Sequence, residues 1–155
     1  MTALLAAIEG LALARWARES TSIWAYPTIL TLHTVGLAIV VGVNVVVDLR
    51  LLGRAPRIPV SSLRTLFPIM WWGFALNFAT GLLLFMADAT TKAGQRVFYV
   101  KLACIVLALI VARTVSNRMS PQNDTPVTAN LRSLAVLSLF LWAGAIIAGR
   151  LMAYL

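Results

Sequence analysis

The sequence predicts an all-α fold: an integral membrane, up-down four-helix bundle preceded by an N-terminal interfacial helix. Three observations predict it. Of the 155 residues, 61% are hydrophobic and only 12% are charged, with a mean hydropathy of +0.89, whereas a soluble domain is about a quarter charged. A chain this short builds no core large enough to hide that much apolar surface, so lipid must cover it. The apolar residues also gather into four long runs, most of them near the ~20 residues that cross a bilayer, and polar punctuation separates the runs.

Each element can be justified in turn. Residues 1–20, "MTALLAAIEGLALARWARES", are apolar but interrupted by Glu9 and closed by Arg15, Trp16 and Arg18. A secretory signal carries its positive charge at the start and a small-residue cleavage site at the end. Here the charge is at the opposite end. The segment therefore reads as a helix lying at the interface or docked on the bundle, with Trp16 at head-group depth. The spans follow at about residues 23–47, 66–87, 97–112 and 131–154. The third is short and starts near Lys101, whose long stem can reach the interface. The connections "GRAPRIPVSS", "DATTKAGQR" and "SNRMSPQNDTP" are polar and short. Short loops make sequence neighbours antiparallel, and the whole of 1–155 reads as one membrane domain.

The net charge is +8, and eleven of the thirteen basic residues are Arg. They lie mainly between apolar runs, so their partners are lipid head groups rather than nucleic acid. The first loop alone carries Arg50, Arg54, Arg57 and Arg64. Positive loops stay inside. The expected orientation places loops one and three in the cytoplasm of a bacterial inner membrane, with both termini periplasmic. The single Cys104 excludes an internal disulfide and any multi-cysteine metal site. No nucleophile beside a base, phosphate loop or ligand cluster occurs, so no enzyme is expected.

Polar side chains inside spans mark candidate sites, because lipid offers them no partner. On the first span Tyr26, His33 and Asn44 fall within about 40° of one another at ~100° per residue. His33 is the only histidine and lies near the midplane. On the second span Gly73, Asn77 and Gly81 repeat every four residues. Small residues at that spacing let another helix approach closely, and Asn77 lies at the depth of His33. A contact between His33 and Asn77 is expected, and these two are the candidate cofactor-binding residues. Three readings of His33 stand. One is a neutral structural histidine satisfied by Asn77 or a main-chain carbonyl. The second is a ligand to haem b or copper. The third is a proton relay or a quinone contact. Haem in a bundle usually takes two axial ligands, and the intrachain candidates for the second are Met70 and Met86, near opposite ends of their helix. Asp48 and Arg50 are expected to cap or pair at the end of the first span, and Asp88 and Lys92 to pair across one turn.

The run "LHTVGLAIVVGVNVVVDLRLLG", followed by "FPIMWWGFALNFATGLLLFMADA" and "VFYVKLACIVLAL", resembles a group of uncharacterised four-helix bacterial inner-membrane proteins. More distantly it resembles the membrane module of copper-resistance D proteins. The resemblance covers roughly residues 20–115 and implies a compact helical module linked to copper or redox chemistry. His33 matches that family's first-helix histidine. A second histidine near the end of the third helix is frequent among such proteins, and here the region reads "ARTVSNRM". The expected function is a non-catalytic accessory or structural subunit of a membrane complex, such as a redox complex, in contact with lipid and with other subunits or a second copy. The alternative is an electron-transfer or metal-handling module built on His33.

Overall fold

The computed structural model describes residues 2–22, 24–119 and 126–154. Among these every regular element is a helix, and four helices are long and apolar enough to cross a membrane. Only 17–28% of the most apolar stretch of each is buried inside the molecule. The exposed remainder is apolar, so these faces meet lipid. The protein is a multipass membrane protein.

The N-terminal segment is two helices rather than one. Helix α1 (Thr2–Glu9) and helix α2 (Ala12–Glu19) are separated at Gly10 and Leu11, where Leu11 turns extended at ψ 142°. Both dock on the bundle. Ala17 of α2 packs with Ile29 and Ala87, while Trp16 is exposed. Glu9 accepts hydrogen bonds from the Thr90 hydroxyl at 2.6 Å and the Thr90 amide at 2.7 Å. Thr90 lies in the first turn of a short helix, α6 (Ala89–Gly94). Orphan amides at a helix start need an acceptor, and here it comes from the far end of the chain. The Thr90 hydroxyl, then its amide, holds the Glu9 carboxyl below its ordinary range.

Helix α3 (Tyr26–Leu51) is the first span, with Pro27 in its first turn. Residue 23, where the sequence places its start, lies outside the described residues. The helix runs past residue 47 and stops at Gly53. Gly53 takes φ 85°, its amide bonds the Arg50 carbonyl, and the Arg54 amide bonds the Leu49 carbonyl. That bond pattern is the Schellman stop, which favours glycine at the left-handed position. Asp48 and Arg50 do not pair. The Arg50 guanidinium reaches out to the Ile58 and Pro56 carbonyls, whereas Asp48 turns inward and is 2% exposed.

A short helix α4 (Val60–Leu63) and a 3-10 turn lead into α5 (Phe67–Met86), the core of the second span. Helix α7 (Arg96–Arg118) continues about six residues beyond the expected 112, because Val115 and Met119 still find a buried face. The Met119 carbonyl accepts from Arg64 at 2.6 Å, which ties the first loop to the end of α7. Helix α8 (Ala129–Leu151) begins at a Thr128 cap that accepts from the Leu131 amide. Residues 120–125 of the third loop lie outside the described residues. The Asp88–Lys92 pair forms at 3.2 Å.

The spans pack mainly as α3 on α5, α7 on α8, and α3 on α8. The main core lies among their halves nearest the first and third loops, with Val40, Leu51, Met70, Ala108, Leu131 and Trp142 all buried. The fourth side, between α5 and α7, is not closed in this way. Those helices meet through Phe85 and Phe98, whose rings stack at 5.2 Å and 12°.

Candidate functional site

The site begins with a close approach. Gly36 of α3 and Gly73 of α5 face each other. A Cβ added at Gly36 would lie 2.8 Å from the Asn77 amide nitrogen and 2.9 Å from the Gly73 carbonyl oxygen. One added at Gly73 would lie 2.6 Å from the Ile39 methyl. Helix backbones approach this closely only where side chains are absent. The contact sets the height of α3 against α5 and brings His33 level with Asn77.

His33 and Asn77 meet reciprocally. The Asn77 side-chain amide donates to the His33 main-chain carbonyl at 2.7 Å. The His33 Nδ1 lies 3.0 Å from the Asn77 main-chain carbonyl and 3.2 Å from the Thr80 hydroxyl oxygen. A carbonyl oxygen only accepts, so Nδ1 carries the hydrogen and donates. The Thr80 hydroxyl itself donates to the Leu76 carbonyl at 2.7 Å. Two side chains thus bond the opposite helix's main chain, and the imidazole is fixed in one tautomer and one orientation. Nε2 then keeps its lone pair and has no hydrogen-bond partner among the described residues. Gly81 leaves room for the ring, since a Cβ there would lie 3.0 Å from the ring carbon Cε1.

His33 stands on the floor of the cleft that α5 and α7 leave open. One compartment, about 290 Å³, is lined by Phe74, Phe78, Leu102, Ile105, Val106 and Leu109 along with His33 and Lys101. A second, about 240 Å³, runs to the bundle end that carries the C-terminus, past Tyr26, Lys92 and Met152. His33, Gly81, Phe85, Phe98 and Lys101 line both compartments. The junction is therefore a stacked aromatic pair beside one imidazole and one ammonium.

The other polar residues of α3 go elsewhere. Asn44 donates to the Val40 carbonyl at 2.7 Å and to the Met70 sulfur at 3.2 Å. Met70 is fully buried in the main core, so that sulfur is engaged away from His33. Asp48 faces Ser138 of α8. Its Oδ2, the Ser138 hydroxyl and the Trp142 indole nitrogen are buried with no hydrogen-bond partner among the described residues. Also among the described residues, no three His, Cys, Asp or Glu side chains gather as a metal site would require. The donor set around His33 is one nitrogen, which does not by itself make a haem or copper site.

Sequence reasoning identifies His33, Asn77, Gly73 and Gly81 and misses Gly36, Thr80 and the cleft role of Lys101. Gly36 and Thr80 follow His33 and Asn77 by three residues, so helical spacing carries a signal for both. Lys101 reads as a snorkelling residue because the residues that line the cleft with it come mostly from other helices. Comparison with models of protein families, with curated proteins and with solved structures finds no match to this chain.

Proposed function

We propose that the chain is a non-catalytic accessory subunit of a membrane complex, with the α5–α7 cleft holding a membrane-borne amphiphile. The observation that carries this reading is the floor of the cleft. The His33 ring is locked through Nδ1 with Nε2 left free, and His33 and Lys101 both line the junction between an apolar compartment and a second one that also holds Tyr26 and Lys92. Preorganised polar groups in an otherwise apolar concavity are the usual marks of a small-molecule site. The broad lipid-facing surfaces, with Trp72 and Phe140 more than 70% exposed, give other membrane subunits or a second copy ample area to pack against. The resemblance to copper-resistance D modules supports placing that complex in redox or copper chemistry.

The free Nε2 also favours the second reading, ligation of haem b or copper. His33 would be the ligand, and the rest of the set would have to come from a second copy's His33 or from another subunit. A visible spectrum of the protein purified from its own membranes, with mass analysis of the extracted small molecules, separates the two. The accessory reading expects a colourless protein with an amphiphile retained in stoichiometric amount. A Soret band or bound copper that disappears in His33→Ala would replace it with ligation.

The orientation is part of the proposal. The Arg-rich first loop supports loops one and three in the bacterial cytoplasm and both termini in the periplasm. Reporter fusions after Pro59 and at the C-terminus should give opposite signals, cytoplasmic at the first. A cytoplasmic C-terminal reporter would invert the assignment.

A further inference from the structure

We propose that the occupant of the cleft is a long-chain fatty acid, its carboxyl group held between Lys101 and His33 and its chain lying between α5 and α7. This rests on the amphiphile-holding reading above. The first argument is charge. Lys101 sits inside a span, five residues after the start of α7, roughly 7 Å along its axis. An ammonium at that depth calls for a counter-charge. No hydrogen bond or ion pair among the described residues uses its amine. Lys92, on the same vestibule, is already paired with Asp88. The Lys101 stem lies over Gly149 of α8, with Cε and Nζ each 3.6 Å from where a Cβ would stand, and this places the head group on the wall of the second compartment, which His33 also lines.

The second argument is the match of head group to site. The junction offers one donor, the Lys101 ammonium, and one acceptor, the His33 Nε2 lone pair. A carboxyl group has two oxygens. The acid proton passes from oxygen to the Nε2 lone pair, and the two oxygens of the resulting carboxylate then accept, one from the ammonium and one from the new Nε2–H. The third argument is shape. The compartment that holds Tyr26 and Lys92 lies at the bundle end that carries the C-terminus, and the other extends from Phe98 to Leu109 along α7, roughly 16 Å at the helical rise. Its volume of about 290 Å³ lies at the foot of the range for small-molecule sites and suits one alkyl chain. The exposed rims, Phe78 and Val106, face lipid, so a chain enters sideways from the bilayer.

The test uses the full-length protein in detergent and a fluorescent long-chain fatty acid as probe. Oleate, methyl oleate and dioleoylphosphatidylglycerol serve as competitors. Oleate should displace the probe about tenfold or more better than its uncharged ester. Lys101→Met should remove that preference while leaving methyl oleate unchanged, and Lys101→Arg should restore it. Ile105→Trp, which fills the apolar compartment, should weaken all competitors together. Equal competition by oleate and its ester would overturn the carboxyl assignment without any variant having to fold, and the cleft reading would survive. Stronger competition by the phospholipid would overturn the fatty acid in favour of a two-chain anion. Probe binding untouched by Ile105→Trp would bring down the cleft reading itself.

Discussion

Gly36→Ala should destabilise the protein by roughly 1–3 kcal/mol, the cost of overpacking a closed interface, whereas Gly42→Ala on the same helix should be neutral or slightly stabilising. The two substitutions add the same methyl group six residues apart. At Gly36 it meets the Asn77 amide and the Gly73 carbonyl within 3 Å, both of them main chain. Main chain cannot swing aside, so α3 and α5 must separate. At Gly42 nothing lies within 4 Å, and alanine only gains helix propensity, worth up to about 1 kcal/mol. Gly73→Ala should also destabilise, because the new methyl meets the Ile39 Cβ at 2.8 Å, which no rotamer change moves, and the Gly36 carbonyl at 3.3 Å. Thermal unfolding in detergent, followed by size-exclusion recovery, gives the order. Equal midpoints for Gly36→Ala and Gly42→Ala would mean that this face is not a helix interface.

His33→Ala should cost about 1–3 kcal/mol, the range for removing one partner of a buried hydrogen bond, while His33→Asn should keep most of the stability. Alanine removes the donor to the Asn77 carbonyl and empties the space under Gly81. Asparagine still offers an amide N–H bonded to Cγ, where Nδ1 stands, and has no atom at the Nε2 position. The same pair separates structure from ligand binding. Both variants lose the Nε2 lone pair, so both should weaken whatever the cleft binds, and alanine should weaken the fold more. Unfolding midpoints and probe binding measured on the same samples decide this. If asparagine proves as damaging to stability as alanine, the reciprocal His33–Asn77 bonding is not what holds the ring.

Part of the candidate site is legible in the amino-acid sequence. His33 and Asn77 stand out because each is a polar residue at mid-depth of an apolar run, and lipid makes such residues conspicuous. Gly73 and Gly81 stand out by spacing. The form of the contact is not legible. Each side chain bonds a main-chain carbonyl of the other helix, and no pattern of residue types distinguishes that from a side-chain pair. Asp48 and Arg50 show the same gap at a helix end. Two residues apart, they read as neighbours at a terminus. The Schellman stop at Gly53 leaves Asp48 a turn inside the helix and Arg50 free to reach the loop.

The number of spans, their order and the antiparallel course of the chain follow from composition and loop length, because a bilayer accepts little else. The docking of the N-terminal helices does not, since Glu9 finds Thr90 across 81 positions of sequence. Nor does the open side of the bundle. In water a helix reports its buried face as an apolar stripe against a polar one. In lipid the outward face is apolar as well, the four spans here having mean hydropathies of 1.6 to 2.1, and the periodicity that would say which pair of helices stays apart is largely erased. Packing alone decided that α5 and α7 part around His33 and Lys101, because two glycines draw α5 onto α3 and the Phe85–Phe98 stack holds α7 a ring's width away.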